Sequence, residues 1–110
     1  MVVRTGIIDK DEVLKILKKE EYTNLFVWYD PPNTTYDWHT HPFDEVRWII
    51  DGEITIGTER EVVTLYPGDK MNVPAGTRHF AKVGNEGVVY ICGCELPLIE
   101  MRGFPLQRVR

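Results

Sequence analysis

The chain has few cysteines, few histidines and no long apolar run. Only two cysteines and three histidines occur in 110 residues. Two cysteines are too few for a disulfide scaffold of this size, so the expected compartment is a reducing cytoplasm. No run of ~18 apolar residues exists, so no helix is expected to span a membrane. The opening Met1-Val-Val-Arg-Thr-Gly6 lacks the apolar core of a signal peptide. Positive charge is also in deficit, with 13 Lys+Arg against 17 Asp+Glu and a net charge of −4. That balance argues against a nucleic-acid partner, which needs a basic face. There is no internal repeat, low-complexity tract or linker, and residues 1–110 read as one domain. The 43% apolar and 27% charged fractions suit an ordinary globular domain with one core.

What is present divides at Tyr22. Before it, residues 9–20 read as a helix. Asp9 can cap its N-terminus, with Glu12 three residues later as a capping-box partner. Val13, Leu14, Ile16 and Leu17 form an apolar stripe, and Lys10, Lys15, Lys18 and Lys19 face water. After it, β-branched and aromatic residues dominate. Strands are expected at 23–30, 35–41, 45–51, 53–57, 61–66, 70–73, 78–83 and 88–94. The turn signals are Asp30-Pro-Pro-Asn33, Asp51-Gly52, Tyr66-Pro-Gly-Asp69, Pro74-Ala-Gly76 and Gly84-Asn-Glu-Gly87. This is the pattern of an all-β sandwich or barrel. Asp51-Gly52 predicts a tight hairpin, because Gly supplies the positive φ that such turns need. The barrel is expected over about 22–96. The tail 97–110, with Pro105, should be irregular or form an edge strand, on this chain or a partner.

All three histidines fall in two short patches. The first reads His39-Thr-His41-Pro-Phe-Asp-Glu45, and the second runs from Gly68 through Pro74-Ala-Gly76 to His79. His39 and His41 are two apart, so on a strand both imidazoles share one face. Glu45 follows the Pro42 bend, and His79 opens a later strand after the Pro74–Gly76 turn. Three imidazoles and one carboxylate converging on one side of a barrel make a divalent-metal site.

These spacings resemble the two motifs of the cupin superfamily. His39, His41, Glu45 and Gly52 match the first, and Gly68, Pro74, Gly76 and His79 match the second, with fifteen residues between them. Asn33 stands where the first motif begins with Gly, and Val83 where the second ends with Asn; neither position is a metal ligand in the family. The resemblance implies a small jelly-roll β-barrel of two antiparallel sheets with a metal inside. It also implies a homodimer, and His39, His41, Glu45 and His79 as ligands. Three nitrogens and one hard oxygen suit one divalent ion of Fe, Mn, Ni, Cu or Zn per chain. An octahedral ion would keep two positions open, whereas tetrahedral zinc would be closed.

If Glu45 points inward, strand alternation carries Arg47 and Ile49 inward and Val46, Trp48 and Ile50 outward. An inward Arg47 needs an anion. That anion can be Glu45 or a substrate oxygen, unless a bulge turns Arg47 to solvent or to Asp44. The outward apolar row must be covered by helix 9–20 or by a second subunit. Cys92 and Cys94 should face the same way in the packing, with no disulfide between them. Trp28, Trp38, Phe43, Phe80 and Tyr90 are candidates for core or pocket walls. The stretch His39–Gly52 is especially similar to the acireductone dioxygenase branch of the cupins. The Arg that matches Arg47 contacts the substrate there. The expected activity is therefore a metal-dependent, dioxygenase-type reaction on a small chelating organic acid, diketone or enediol. A metal-dependent isomerase or decarboxylase, and a ligand-binding barrel without turnover, are the alternatives.

Overall fold

The computed structural model describes residues 2–94 of the chain. The tail expected at 97–110 lies outside the described residues. Eight elements follow in order: β1 (Val2–Arg4), α1 (Lys10–Lys19), β2 (Asn24–Asp30), β3 (Thr35–His39), β4 (Glu45–Thr58), β5 (Val62–Leu65), β6 (Asp69–Val73) and β7 (His79–Cys94). All pairings are antiparallel. The all-β class with one short N-terminal helix is therefore as expected. Strand β1, pairing with β6 through Val2–Met71 and Arg4–Asp69, was not anticipated. Three residues carry too little pattern to be read as a strand.

The two long strands contradict the sequence reading. Residues 45–51 and 53–57 were expected as two strands joined by a hairpin at Asp51-Gly52, but β4 runs through from Glu45 to Thr58. Likewise β7 runs from His79 to Cys94 across the expected turn at Gly84–Gly87. The two strands pair along their whole lengths, and the register breaks between Gly52 and Ile54, where the β7 partner jumps from Val88 to Val83. Gly52 does adopt a positive φ, of 77°. The conformation serves a break in the ladder instead of a reversal. A Cβ at Gly52 would lie 2.1 Å from the Gly87 carbonyl oxygen.

This break divides one sheet into two halves. On one side, β4 and β7 continue outward to β6 and β1 and to β2; on the other they continue to β5 and β3. One apolar cluster joins the halves, with Ile49, Met71, Tyr90 and Cys92 from the first meeting Ile54, Ile56, Leu65 and Val83 from the second. The interior faces of the two halves therefore pack on each other.

The outward row of the first half is covered within the chain. Val13 and Leu17 of α1 are fully buried and pack on Val46, Trp48 and Ile91, with Ile50 partly buried beside them. Asp9 caps α1 through the Glu12 amide at 3.3 Å. The Trp48 indole N–H donates to the Ile7 carbonyl at 2.9 Å, which ties the approach to α1 onto the sheet. Helix 9–20, and not a second subunit, shields this row.

Asp30 fastens the halves near the break. Its buried carboxylate accepts from Trp28 Nε1 (2.8 Å) and Tyr90 OH (3.2 Å) of the first half, and from Tyr36 OH (2.5 Å) of the second. Three donors satisfy a charge that would otherwise be costly to bury.

Gly52→Ala should lower stability by about 2–4 kcal/mol, through a left-handed φ and a collision with backbone that cannot retreat. Urea unfolding monitored by tryptophan fluorescence tests this, and an unchanged midpoint would count against the register break as described.

Candidate metal centre

His39 closes β3, His79 opens β7, and the two are paired across the ladder. Regular alternation from Tyr36, which pairs with Ala81, would not bring His39 opposite His79; the register shifts between Tyr36 and His39. This bulge turns His39 toward the interior and puts Trp38 on the outside. His41 lies beyond the end of β3, so shared strand parity is not what aligns it with His39. The loop is held instead by the Gly76 N–H donating to the His41 carbonyl (2.9 Å) and the Ala75 N–H donating to Asp44 Oδ1 (2.7 Å). The Pro74–Gly76 turn thus anchors the loop that carries His41. The phenyl ring of Phe43 stacks on His41 with ring centres 5.6 Å apart.

One potential ligand atom from each of His39, His41 and His79 lies within 4.8 Å of the others. The ring centres of His39 and His79 are 4.2 Å apart. Two of the rings are held from behind. The carbonyl of Asp37 lies 2.5 Å from His39 Nδ1, and that of Thr77 lies 2.8 Å from His79 Nδ1. A carbonyl only accepts, so in each neutral ring Nδ1 carries the proton and Nε2 keeps its lone pair. Both Nε2 atoms are buried without a hydrogen-bond partner. Buried lone pairs left bare at one point, with the far nitrogen fixed by a carbonyl, are the arrangement of metal-ligating histidines. The residues present therefore fit a metal ion.

The His79 pKa is lowered to about 4. Burial is the main cause; the nearby Arg47 charge and the His39 ring act in the same direction, and the Thr77 carbonyl and the Glu45 carboxylate act against them. His79 is thus neutral at pH 7, and a metal would not compete with a proton there.

Glu45 opens β4 and Arg47 follows on the same face, as alternation requires. Glu45 is buried, with Oε2 3.7 Å from His41 Nε2 and Oε1 3.1 Å from Arg47 Nη2. Its carboxylate is next to the histidine cluster but is not within the 4.8 Å group. Arg47 is 2% exposed, which excludes the solvent-facing alternative. Asp44, the other partner weighed for it, is engaged with Ala75. The Arg47 Nε–H is buried with no acceptor.

Cys92 and Cys94 are buried on the inner face with no disulfide between them; Cys94 lies opposite Glu45 and accepts from Asn24 Nδ2 at 3.3 Å. A cleft of about 710 Å³ opens between β6 and the β4–β5 turn. Its walls include Met71 and Val73, the ladder partners of Arg47 and Glu45, and Thr40 and Thr77, sequence neighbours of the histidines. What the sequence reading missed is the pair of carbonyls behind the rings. Backbone acceptors leave no residue-type signal, and only their shared position two residues before each histidine could have suggested them.

An antiparallel β fold that draws histidines from two strand ends and a loop into one buried cluster defines a metal-binding β-protein. Residues 26–93 match the family model described as "Cupin domain", and the chain belongs to the cupin family. Over 52 residues it is 44% identical to an acireductone dioxygenase from Synechococcus sp. (strain CC9605), a match covering 44% of this chain and 28% of that enzyme. The chain thus matches little more than a quarter of that relative's length. Among solved structures, the DMSP lyase DddQ from Ruegeria pomeroyi DSS-3 superposes with a TM-score of 0.61 and 27% identity, over 67% of this chain and 38% of that one. A DUF861-family protein from Thermotoga maritima superposes with a TM-score of 0.60 and 21% identity, over 86% of this chain and 97% of that one, and shows the same fold. No helix among the described residues is long and apolar enough to cross a membrane.

The lowered His79 pKa has a consequence for the metal-free protein. Between about 4 and 6.5 the unfolded chain binds a proton at His79 that the folded chain does not. Protonation therefore favours unfolding, and this part of the stability is complete above about 6.5 and is lost as the pH falls toward 4. Thermal melts across this window should show a steeper slope for the native protein than for His79→Gln, and equal slopes would contradict the burial of a neutral His79.

Proposed function

We propose that the chain holds one divalent transition-metal ion through His39, His41, His79 and Glu45. We further propose that it acts as a dioxygenase-type oxidoreductase on a small chelating organic acid, diketone or enediol. The observation that carries this reading is the pair of bare, buried Nε2 lone pairs on His39 and His79 beside the Glu45–Arg47 pair. The identity to acireductone dioxygenase, concentrated in about half of this chain, supports the class of chemistry. When bound, the ion supplies a Lewis-acidic, redox-capable centre with positions left over for a chelating substrate. Iron, manganese, nickel and copper suit that role; zinc would restrict it to Lewis-acid work.

The chain's own residues supply binding and orientation. The guanidinium of Arg47 balances Glu45 through Nη2, and its Nε–H is left to donate to an anionic substrate oxygen. The cleft between β6 and the β4–β5 turn, whose walls include Thr40 and Thr77 close in sequence to the histidines, is the proposed route of access. An isomerase or decarboxylase that moves a proton needs a dedicated base. The other buried carboxylates among the described residues are engaged, Asp30 by three donors and Asp69 by Arg4 and the Tyr66 amide. That favours oxidative chemistry over proton transfer. Because α1 covers Val46 and Trp48, homodimer formation rests on the outer face of β2, where Val27 and Tyr29 are 46% and 55% exposed.

Elemental analysis should find about one ion per chain, and His79→Ala should lose it; full metal content in the variant would remove His79 from the ligand set. Arg47→Met should keep the ion but bind a small anionic chelator such as oxalate roughly 10–100-fold more weakly by calorimetry, the cost of losing one charge-assisted buried hydrogen bond. Equal affinity would place Arg47 outside the substrate pocket. Oxygen consumption on enediols and diketones separates an enzyme from a barrel that only binds.

A further inference from the structure

The outer surface behind the histidines carries a stacked group that neither the core nor the ligand set uses. The Arg78 guanidinium lies 4.9 Å from the centre of the Trp38 ring, and Trp38 meets Phe80 edge to face at 4.9 Å. Phe80 in turn lies on Gly57 of β4, where a Cβ would come within 2.1 Å of its ring. The stack is thus seated against backbone on one side and capped by Arg78 on the other.

Its placement in the chain is what gives it a role. Trp38 immediately precedes His39, and Arg78 immediately precedes His79. The carbonyls that orient the two rings belong to Asp37 and Thr77. Each of these carbonyls therefore lies in the peptide plane that also carries the N–H of Trp38 or of Arg78. The Trp38 N–H is additionally held by Asp37 Oδ1 at 2.8 Å. Two side chains that stack on the outside thus grip the two peptide planes whose oxygens aim the imidazoles on the inside. We propose that Trp38 and Arg78 are positioning residues for the histidine cluster, acting through the Asp37 and Thr77 carbonyls on the direction of His39 Nε2 and His79 Nε2. The inference rests on the metal-centre reading. It adds that the geometry of the centre is controlled from the solvent side of β3 and β7. Both residues are partly or largely exposed, at 37% for Trp38 and 54% for the Arg78 side chain, so they are replaceable without opening the core. The Arg78–Glu59 approach at 4.0 Å is between exposed groups and adds little.

Cobalt(II) titration of the full chain, followed by visible absorption, tests this without reference to activity. The native protein should saturate with a defined ligand-field spectrum. Trp38→Ala and Arg78→Ala, each shown to be folded by circular dichroism, should bind cobalt about 10-fold or more weakly, as outer-shell changes do, and with displaced bands. Trp38→Phe, which keeps a ring for Arg78 and Phe80, should restore both affinity and band positions. A folded alanine variant with native affinity and native bands would overturn the inference, as would a Trp38→Phe variant as weak as Trp38→Ala. If Trp38→Ala does not fold, Arg78→Ala decides alone. A native protein that takes up no cobalt would overturn the metal centre itself, an outcome distinct from failure of the positioning role.

Discussion

The pairing of β4 with β7 along their full lengths is the constraint on which everything else depends. A single ladder runs from Glu45 opposite Cys94 to Thr58 opposite His79, and its register, already offset between Ile49 and Asp51, shifts furthest between Gly52 and Ile54. That shift lets one antiparallel sheet present two inner faces to each other. It also places Glu45 and Arg47 at one end of the ladder and His79 at the other, on strands that fold back around one core. The histidine cluster is thus a product of long-range pairing. The loop from Thr40 to Asp44 is likewise set from afar, by its bonds to the Ala75–Gly76 turn.

Electrostatics then select the state of the site. Burial and the nearby Arg47 charge keep His79 neutral, and backbone carbonyls fix the proton of His39 and His79 on Nδ1. Glu45 and Arg47 neutralise each other at 3.1 Å, which makes a buried arginine tolerable and leaves its Nε–H without an acceptor. A fully satisfied pair would serve stability alone. The unused donor is what the proposed function assigns to a substrate anion.

Much of this was legible from residue spacing. The Asp9 cap, the buried Val13 and Leu17, the inward Arg47 and the same-face cysteines all follow from local periodicity. Asn33, standing where the motif has glycine, takes a φ of 62°, the left-handed conformation that glycine would supply. The misread features were those decided at a distance. Asp51-Gly52 offers the same positive φ to a hairpin and to a ladder break, and only the partner strand decides between them. His41 was placed on a strand by its spacing from His39, yet it sits past the strand end, held by a turn more than thirty residues later. The bulge before His39 was equally invisible, and with it the inward placement of Tyr36 on the same strand.

The central claim is that the centre is oriented before any metal arrives, with Nδ1 protonated and Nε2 bare on His39 and His79. Long-range proton–nitrogen correlation NMR on the metal-free, nitrogen-15-labelled protein at neutral pH reads this directly. The expected result is a neutral His79 with Nδ1 protonated and Nε2 unprotonated, and the same Nδ1 tautomer in the neutral form of His39. A neutral ring protonated on Nε2, or imidazolium at His79, would contradict it.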